Sequence, residues 1–169
     1  MNGGESLEAG LALHRQGRVS EAEAVYRQVL AREPRNAQAL HLLAMAMAAM
    51  GRHAEAVRSY DQALSLRRDF VPALRGRGIA QLHLGHADLA LSDLEQALVL
   101  APKEAQVHCD LGVVYERLGR PAEALQCFER ASALNPALLE AHHNRALLET
   151  GRGRYAEAVA SIDRAIKLQ

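Results

Sequence analysis

Eight histidines occur among the 169 residues, and histidine is a residue type that can bind metal ions. Neutral imidazole is a common zinc ligand, and the closest pairs are His142 with His143 and His83 with His86. Adjacent residues on a helix point about 100° apart, so His142 and His143 cannot readily bind one ion together. His83 and His86 have only Asp88 nearby, whereas a zinc site needs three or four converging ligands. We therefore expect neither a metal nor another cofactor.

Cysteine is the second residue type with reactive chemistry, and the chain contains Cys109 and Cys127. Two cysteines without metal-type spacing are typical of a reducing cytoplasm. A nucleophilic thiolate needs a neighbouring base, and His143, one full period after Cys109, is only a geometric candidate. The glycines do not follow a phosphate-binding pattern. We therefore predict that the chain is not an enzyme.

The charge balance excludes several classes of partner. Basic and acidic residues number 20 each, so no general attraction to nucleic acid or to an anionic membrane is expected. The longest apolar run, from Ala37 to Met50, is interrupted and too short for a membrane span. The first residues do not resemble a secretory signal, so a cytoplasmic location is expected. Only two of the 20 basic residues are lysine, which indicates a GC-rich bacterial genome.

A repeat of 34 residues positions all of these side chains. The copies span residues 3–36, 37–70, 71–104, 105–138 and 139–169, and we predict that they form one array over residues 1–169. The fifteenth position is always glycine, at Gly17, Gly51, Gly85, Gly119 and Gly153. The twentieth position is always alanine, at Ala22, Ala56, Ala90, Ala124 and Ala158. The eighth position is always small, at Gly10, Ala44, Gly78, Gly112 and Ala146.

Each constant position has a mechanical meaning. Apolar residues recur at helical spacing before and after the glycine, which predicts a helix A and a helix B in every repeat. Glycine in the left-handed conformation ends helix A, and small residues let A and B approach closely. Proline stops helix B at Pro34, Pro102 and Pro136. In the second repeat we expect Pro72 to make the break from the start of the next helix, where its missing N–H costs little. The predicted helices are 4–16, 20–32, 37–50, 54–67, 71–84, 88–100, 105–118, 122–134, 139–151 and 155–168.

This pattern resembles the tetratricopeptide repeat. The fourth copy matches the family motif best, at Leu111, Gly112, Tyr115, Ala124, Phe128, Ala131 and Pro136. The resemblance implies an all-α solenoid of five helical hairpins in a right-handed superhelix, with the A helices lining a concave groove. The large aromatic residue that opens the family motif is missing, and the residues in its place are Ser6, Leu40, Leu74, His108 and His142.

The groove implied by the resemblance is the predicted functional surface. Its fifth, ninth and twelfth positions carry apolar side chains edged by imidazoles and an arginine, which suits a peptide with apolar anchors. The predicted peptide-binding residues are His41, Met45, Arg75, Ile79, Leu82, Cys109, Val113, Glu116, His143 and Leu147. The alternative is that the aliphatic ninth position only packs neighbouring A helices. The family's carboxylate clamp does not carry over, because Leu7, Leu11 and Leu42 occupy its positions.

Two functions remain open from the sequence. The first is a protein-interaction scaffold that binds a peptide segment of a partner protein. The second is the substrate-recognition arm of a longer enzyme, such as a bacterial glycosyltransferase. The last B helix also carries Val159, Ile162, Ala165 and Ile166 on a face that earlier repeats bury. We expect that face to be covered either by a further repeat of a longer array or by self-association with a second copy.

Overall fold

The computed structural model describes residues 3–167, which form ten α-helices and no strand. The all-α prediction is confirmed, and the bounds of the first nine helices differ from the predicted ones by no more than one residue. Residue 168, the predicted end of the last helix, lies outside the described residues. The helices are α1 (Gly3–Arg15), α2 (Val19–Arg32), α3 (Ala37–Ala49), α4 (His53–Leu66), α5 (Val71–His83), α6 (Ala87–Leu100), α7 (Ala105–Arg117), α8 (Pro121–Leu134), α9 (Leu139–Gly151) and α10 (Tyr155–Ile166).

Glycine ends the A helices in the way that the sequence predicts. Gly51 has φ of 76° and Gly119 has φ of 70°, a conformation that residues with a Cβ rarely adopt, and the other three turn glycines share it. After Gly51, the amide of Arg52 donates to the carbonyl oxygen of Met47 at 2.9 Å, as a Schellman motif requires. Each A helix therefore turns sharply into its B helix.

The first four B helices end at equivalent residues of their repeats. Helices α2, α6 and α8 end two residues before Pro34, Pro102 and Pro136, as predicted. Helix α4 ends at the equivalent residue, Leu66, although Arg68 stands where the others have proline. Pro72 is the second residue of α5 and so lies at the start of the next helix, as predicted. After α4, the Arg67 guanidinium lies 3.3 Å from the centre of the Phe70 ring.

The two helices of a repeat pack at short range because small residues face large ones. All five alanines of the twentieth position are buried. Gly10 faces the ring of Tyr26, and Gly112 faces the ring of Phe128, and a Cβ at either glycine would collide with that ring. The predicted close approach of helices A and B is therefore observed in both hairpins.

The chain forms two compact units, Met1–Asp93 and Leu94–Gln169, and the division falls within α6. In the first unit, α1 packs on α2 and α3 on α4, while α2 contacts α3 and α4 contacts α5. The A helices α1, α3 and α5 also touch in succession. In the second unit, α7 packs on α8, α8 on α9 and α9 on α10, and α7 contacts α9. In both units, stacked hairpins bury apolar faces that a single hairpin would leave exposed.

Each unit has its own apolar core. Large buried side chains of the first unit include Tyr26, Leu40, Tyr60 and Leu74. The core cluster of the second unit consists of Cys109, Ala124, Phe128, Ala131, Ala141 and Leu148. Across residues 3–167, no helix combines the length and the apolar character that crossing a membrane requires.

Candidate functional site

A cavity of about 340 Å³ lies in the first unit between α3 and α5, above Tyr60 of α4, and we call it the A-helix cavity. Its volume is in the range of sites that bind small ligands or single side chains. Four residues predicted from the sequence meet there: His41, Met45, Arg75 and Ile79. The full lining is His41, Met45, Ala48, Tyr60, Pro72, Arg75, Gly76 and Ile79.

Helical periodicity explains why these side chains converge. His41 and Met45 are four residues apart on α3, and Arg75 and Ile79 are four apart on α5, so each pair shares one helix face. The facing helices contact each other, which brings the two pairs to opposite walls of the same cavity. All four side chains are half-buried. The walls therefore offer two apolar side chains with a polar group beside each.

Tyr60 and Gly76 form the part of the cavity that sequence reasoning missed. The phenol ring of Tyr60 lies against the backbone of Gly76, where no Cβ would fit. Burial raises the pKa of Tyr60 to about 12, so its phenol is neutral at physiological pH. The signal was present in the sequence, because glycine at the sixth position follows a tyrosine in the preceding B helix. That glycine lets an aromatic ring reach the cavity wall.

His41 is a neutral hydrogen-bonding group at neutral pH. Burial lowers its pKa to about 4, and the positive charges of Arg67 and Arg75 act in the same direction. Its ring centre lies 5.8 Å from that of Tyr60 and 5.1 Å from that of Phe70. Its Nδ1 is buried without a hydrogen-bond partner among the described residues. His41 therefore lines the cavity as an uncharged imidazole with one unsatisfied nitrogen.

Two predicted groove residues lie in the core instead. Leu82 is buried and is not part of the A-helix cavity lining. Cys109 is only 1% exposed and packs in the core cluster of the second unit. The expectation that these two side chains face an open groove is wrong, because both are buried. Burial of Cys109 also removes the geometric basis for a thiol nucleophile at this position.

The remaining predicted residues belong to the second unit. Val113 is half-buried and packs against the core cluster. Glu116 and His143 are exposed, and Leu147 is 56% exposed. None of these four residues lines the A-helix cavity. The ninth position is thus a wall of a cavity at Ile79 and a partial core contact at Val113.

Histidine pairs form elsewhere than the sequence suggests. The rings of His53 and His83 stack with centres 4.3 Å apart and planes 5° from parallel. Burial, aided by the charge of His83, lowers the pKa of His53. Residues 3–167 contain no group of three or more His, Cys, Asp or Glu side chains placed to hold a metal ion. The stacked pair is a packing contact between α4 and α5.

The repeat geometry described above defines a helical-hairpin solenoid, and sequence comparison gives its class. Three family models, each described as the tetratricopeptide repeat, match residues 13–76, 105–138 and 139–169. Together they cover most of the chain. The chain belongs to the tetratricopeptide repeat family.

Solved structures share this fold at low sequence identity. A thermophilic tetratricopeptide repeat protein of Thermus thermophilus superposes with a TM-score of 0.91 at 24% identity, covering 99% of this chain and 91% of that one. PilF of Pseudomonas aeruginosa superposes with a TM-score of 0.87 at 22% sequence identity, covering 99% of this chain and 76% of PilF. MamA of Desulfovibrio magneticus superposes with a TM-score of 0.79 at 21% sequence identity, covering 98% of this chain and 94% of the MamA chain. A comparison with curated protein sequences gives no match.

Proposed function

We propose that this chain is a protein-interaction scaffold that holds a peptide segment of a partner protein in the A-helix cavity. Tetratricopeptide repeats are generally non-catalytic scaffolds for protein partners, and membership of that family supports the broad role. The observation that carries the specific site is the convergence of His41, Met45, Arg75 and Ile79 on one cavity. These residues come from two repeats, so the cavity exists only when adjacent hairpins stack.

The chemistry of the walls defines the peptide that fits. Met45 and Ile79 offer apolar surface, and methionine adapts its shape to different partners. Each apolar side chain buried there contributes about 1.5–3 kcal/mol, so two or three anchors give a micromolar-class site after the cost of association. Arg67 and Arg75 make the surroundings of His41 positive. We therefore expect an apolar peptide with acidic residues beside its anchors, whose binding weakens as salt increases.

The test is a double variant, Met45→Glu/Ile79→Glu, examined by circular dichroism and by pull-down of the partners of the wild-type chain. We expect helicity close to that of the wild type and loss of the partners, because two carboxylates in the cavity would exclude apolar anchors. The matched control is Leu89→Glu/Val99→Glu, which adds the same charge at exposed apolar residues of α6 outside the cavity. That control should keep every partner.

Two results would contradict the proposal. If the double variant unfolds, Met45 and Ile79 belong to the packing core and the cavity is not a binding site. If it stays folded and keeps all partners, the partners bind another surface. Loss of partners in the control as well would show that added charge, and not the cavity, controls binding.

We also propose that a second copy of the chain covers one face of α10. The exposed side chains of Tyr155, Val159, Ile162 and Ile166 lie on one side of this helix, and we call them the α10 apolar face. Ile162 is 46% exposed, whereas Phe128, at the same position of the preceding repeat, is 0% exposed. The difference arises because α9 packs on α8. An A helix of another copy would bury Ile162 in the same way.

A further inference from the structure

A second cavity, of about 530 Å³, lies in the second unit where α8, α9 and α10 meet. We call it the basic cavity, and it shares no residue with the A-helix cavity. Its size is again that of a small-molecule site. Its lining consists of Glu129, Ser132, Ala133, Pro136, His142, Arg145, Arg164 and Lys167.

A single change in the repeat pattern explains why this cavity is open. The twenty-eighth position of the first three repeats is leucine, at Leu30, Leu64 and Leu98, and all three side chains are at least half-buried. In the fourth repeat this position is Ser132. The hydroxyl of Ser132 donates to the carbonyl oxygen of Glu129 at 3.0 Å, so it turns back to its own helix. Space that leucine fills elsewhere is therefore empty beside Ser132.

The charges around the cavity are positive in excess. Arg145 is already neutralised, because its Nε lies 2.8 Å from the buried carboxylate of Glu149 and its guanidinium 3.4 Å from that of Glu129. Arg164 and Lys167 are exposed, and neither makes an ion pair with another described residue. Two cations at one opening attract an anion. Glu129 stands in the same lining and disfavours a second negative charge on that anion.

A buried imidazole supplies an independent polar group. His142 is 4% exposed, and its Nε2 lies 2.9 Å from the carbonyl oxygen of Pro136. A carbonyl only accepts, so Nε2 carries the hydrogen in this contact. Its Nδ1 is buried and has no hydrogen-bond partner anywhere in residues 3–167. Nδ1 is therefore a buried acceptor, which a hydrogen-bond donor on a ligand or a water would satisfy.

We propose that the basic cavity binds an organic carboxylate, with its charge between Arg164 and Lys167 and its apolar body against Ala133 and Pro136. A carboxylate oxygen accepts hydrogen bonds from both cations, and a hydroxyl or amide hydrogen elsewhere on such a ligand can donate to Nδ1 of His142. Phosphate fits less well, because Glu129 repels a dianion and the lining contains neither a glycine turn nor a helix start of the kind that cradles phosphate. A free acid and the carboxylate of a peptide share this chemistry.

The experiment is an NMR titration of the full ¹⁵N-labelled chain with benzoate, following the side-chain signals of Arg164 and His142. We expect saturable shifts with benzoate and none with benzyl alcohol, its neutral counterpart. An acetylated peptide with a free C-terminal carboxylate and its amidated form distinguish the two sources of carboxylate. Binding of the free-acid peptide more tightly than benzoate would identify a peptide terminus as the ligand, and the reverse order would identify a small acid.

Variants test whether the shifts arise in this cavity. Ser132→Leu, which restores the residue of the earlier repeats, should abolish binding, and Arg164→Gln should weaken it about tenfold or more. The matched control is Arg130→Gln, because Arg130 occupies the same repeat position on α8 but does not line the cavity. That control should bind benzoate as the wild type does. If Ser132→Leu misfolds, the difference in benzoate binding between Arg164→Gln and Arg130→Gln still tests the proposal.

Three results would overturn the proposal. If benzyl alcohol binds as tightly as benzoate, the cavity recognises the apolar ring and not the carboxylate. Stronger shifts with inorganic phosphate than with benzoate would make it a phosphate site. Unchanged benzoate binding in Arg164→Gln would place the carboxylate elsewhere.

Discussion

The aromatic ring of Phe128 lies against the backbone of Gly112, in the space that a side chain at residue 112 would fill. Replacing this glycine with alanine should therefore destabilise the chain by about 1–3 kcal/mol, because the overpacked ring must move away from the A helix. Urea unfolding followed by circular dichroism measures the change. An unchanged midpoint would mean that helices α7 and α8 can separate without cost.

The control for this change is Gly151→Ala at the end of α9. A Cβ at Gly151 would meet no atom within 4 Å, so the substitution only reduces the freedom of the unfolded chain. Stability should stay the same or rise by up to roughly 1 kcal/mol. A loss equal to that of Gly112→Ala would show that glycine itself, and not the contact with Phe128, matters.

The sequence predicts the helices well because the signals that end them are local. A turn such as that at Gly51 needs a positive φ, and only glycine adopts it easily, so periodic glycine marks each A helix. Pro72 is a local signal of the same kind, and it lies at the start of α5 as the sequence predicts. The stacking of Arg67 on Phe70 after α4 could not be predicted, because it is a contact between side chains without a sequence signature.

The candidate site was predicted only in part, because exposure depends on neighbours. The fifth position of the repeat is half-buried at His41, buried at Cys109 and exposed at His143, although the repeat places all three alike. Which of these faces an opening depends on the side chains that pack over it. Periodicity gives the face of a helix, but the size of the residues on the next helix decides whether that face stays open.

Arg145 should be a structural residue whose loss costs far more than that of an exposed arginine. Its partner Glu149 is buried and also accepts a hydrogen bond from Ser161 at 3.2 Å. Arg145→Met would leave that carboxylate without its cation, which typically costs about 3–5 kcal/mol. The comparison is Arg120→Met, whose pair with Glu123 is exposed and should contribute little to stability. Similar urea midpoints for the two variants would refute the distinction.

Stability should fall in mild acid because of His41. Its pKa in the folded chain is about 4, below its ordinary value of 6.5. Well above pH 6.5 His41 is neutral in both the folded and the unfolded chain, so it takes nothing from the free energy of unfolding. As the pH falls from 6.5 to 4, the unfolded chain takes up a proton that folded His41 does not bind, and up to roughly 3 kcal/mol of unfolding free energy is lost.

The measurement is urea unfolding at about pH 7.5 and about pH 4.5, on either side of the ordinary histidine pKa, for the wild type and for His41→Leu. Leucine is the residue at the same position of the first repeat, Leu7. The variant should lose less stability between the two pH values than the wild type, and the exposed-histidine control His86→Gln should behave as the wild type. Equal losses in the wild type and in His41→Leu would assign the acid sensitivity to other groups.

The α10 apolar face should drive concentration-dependent association. Ile162 remains 46% exposed where Phe128 is fully covered, so a second copy can bury it together with Val159 and Ile166. Sedimentation velocity over a range of concentrations should show a reversible increase in mass. Ile162→Glu should weaken that association at least about tenfold, because it places a carboxylate in the apolar contact. The control, Ala160→Glu, adds the same charge to an exposed residue on the other side of α10 and should leave association unchanged. A wild-type chain that stays monomeric at every concentration would show that no second copy covers this face.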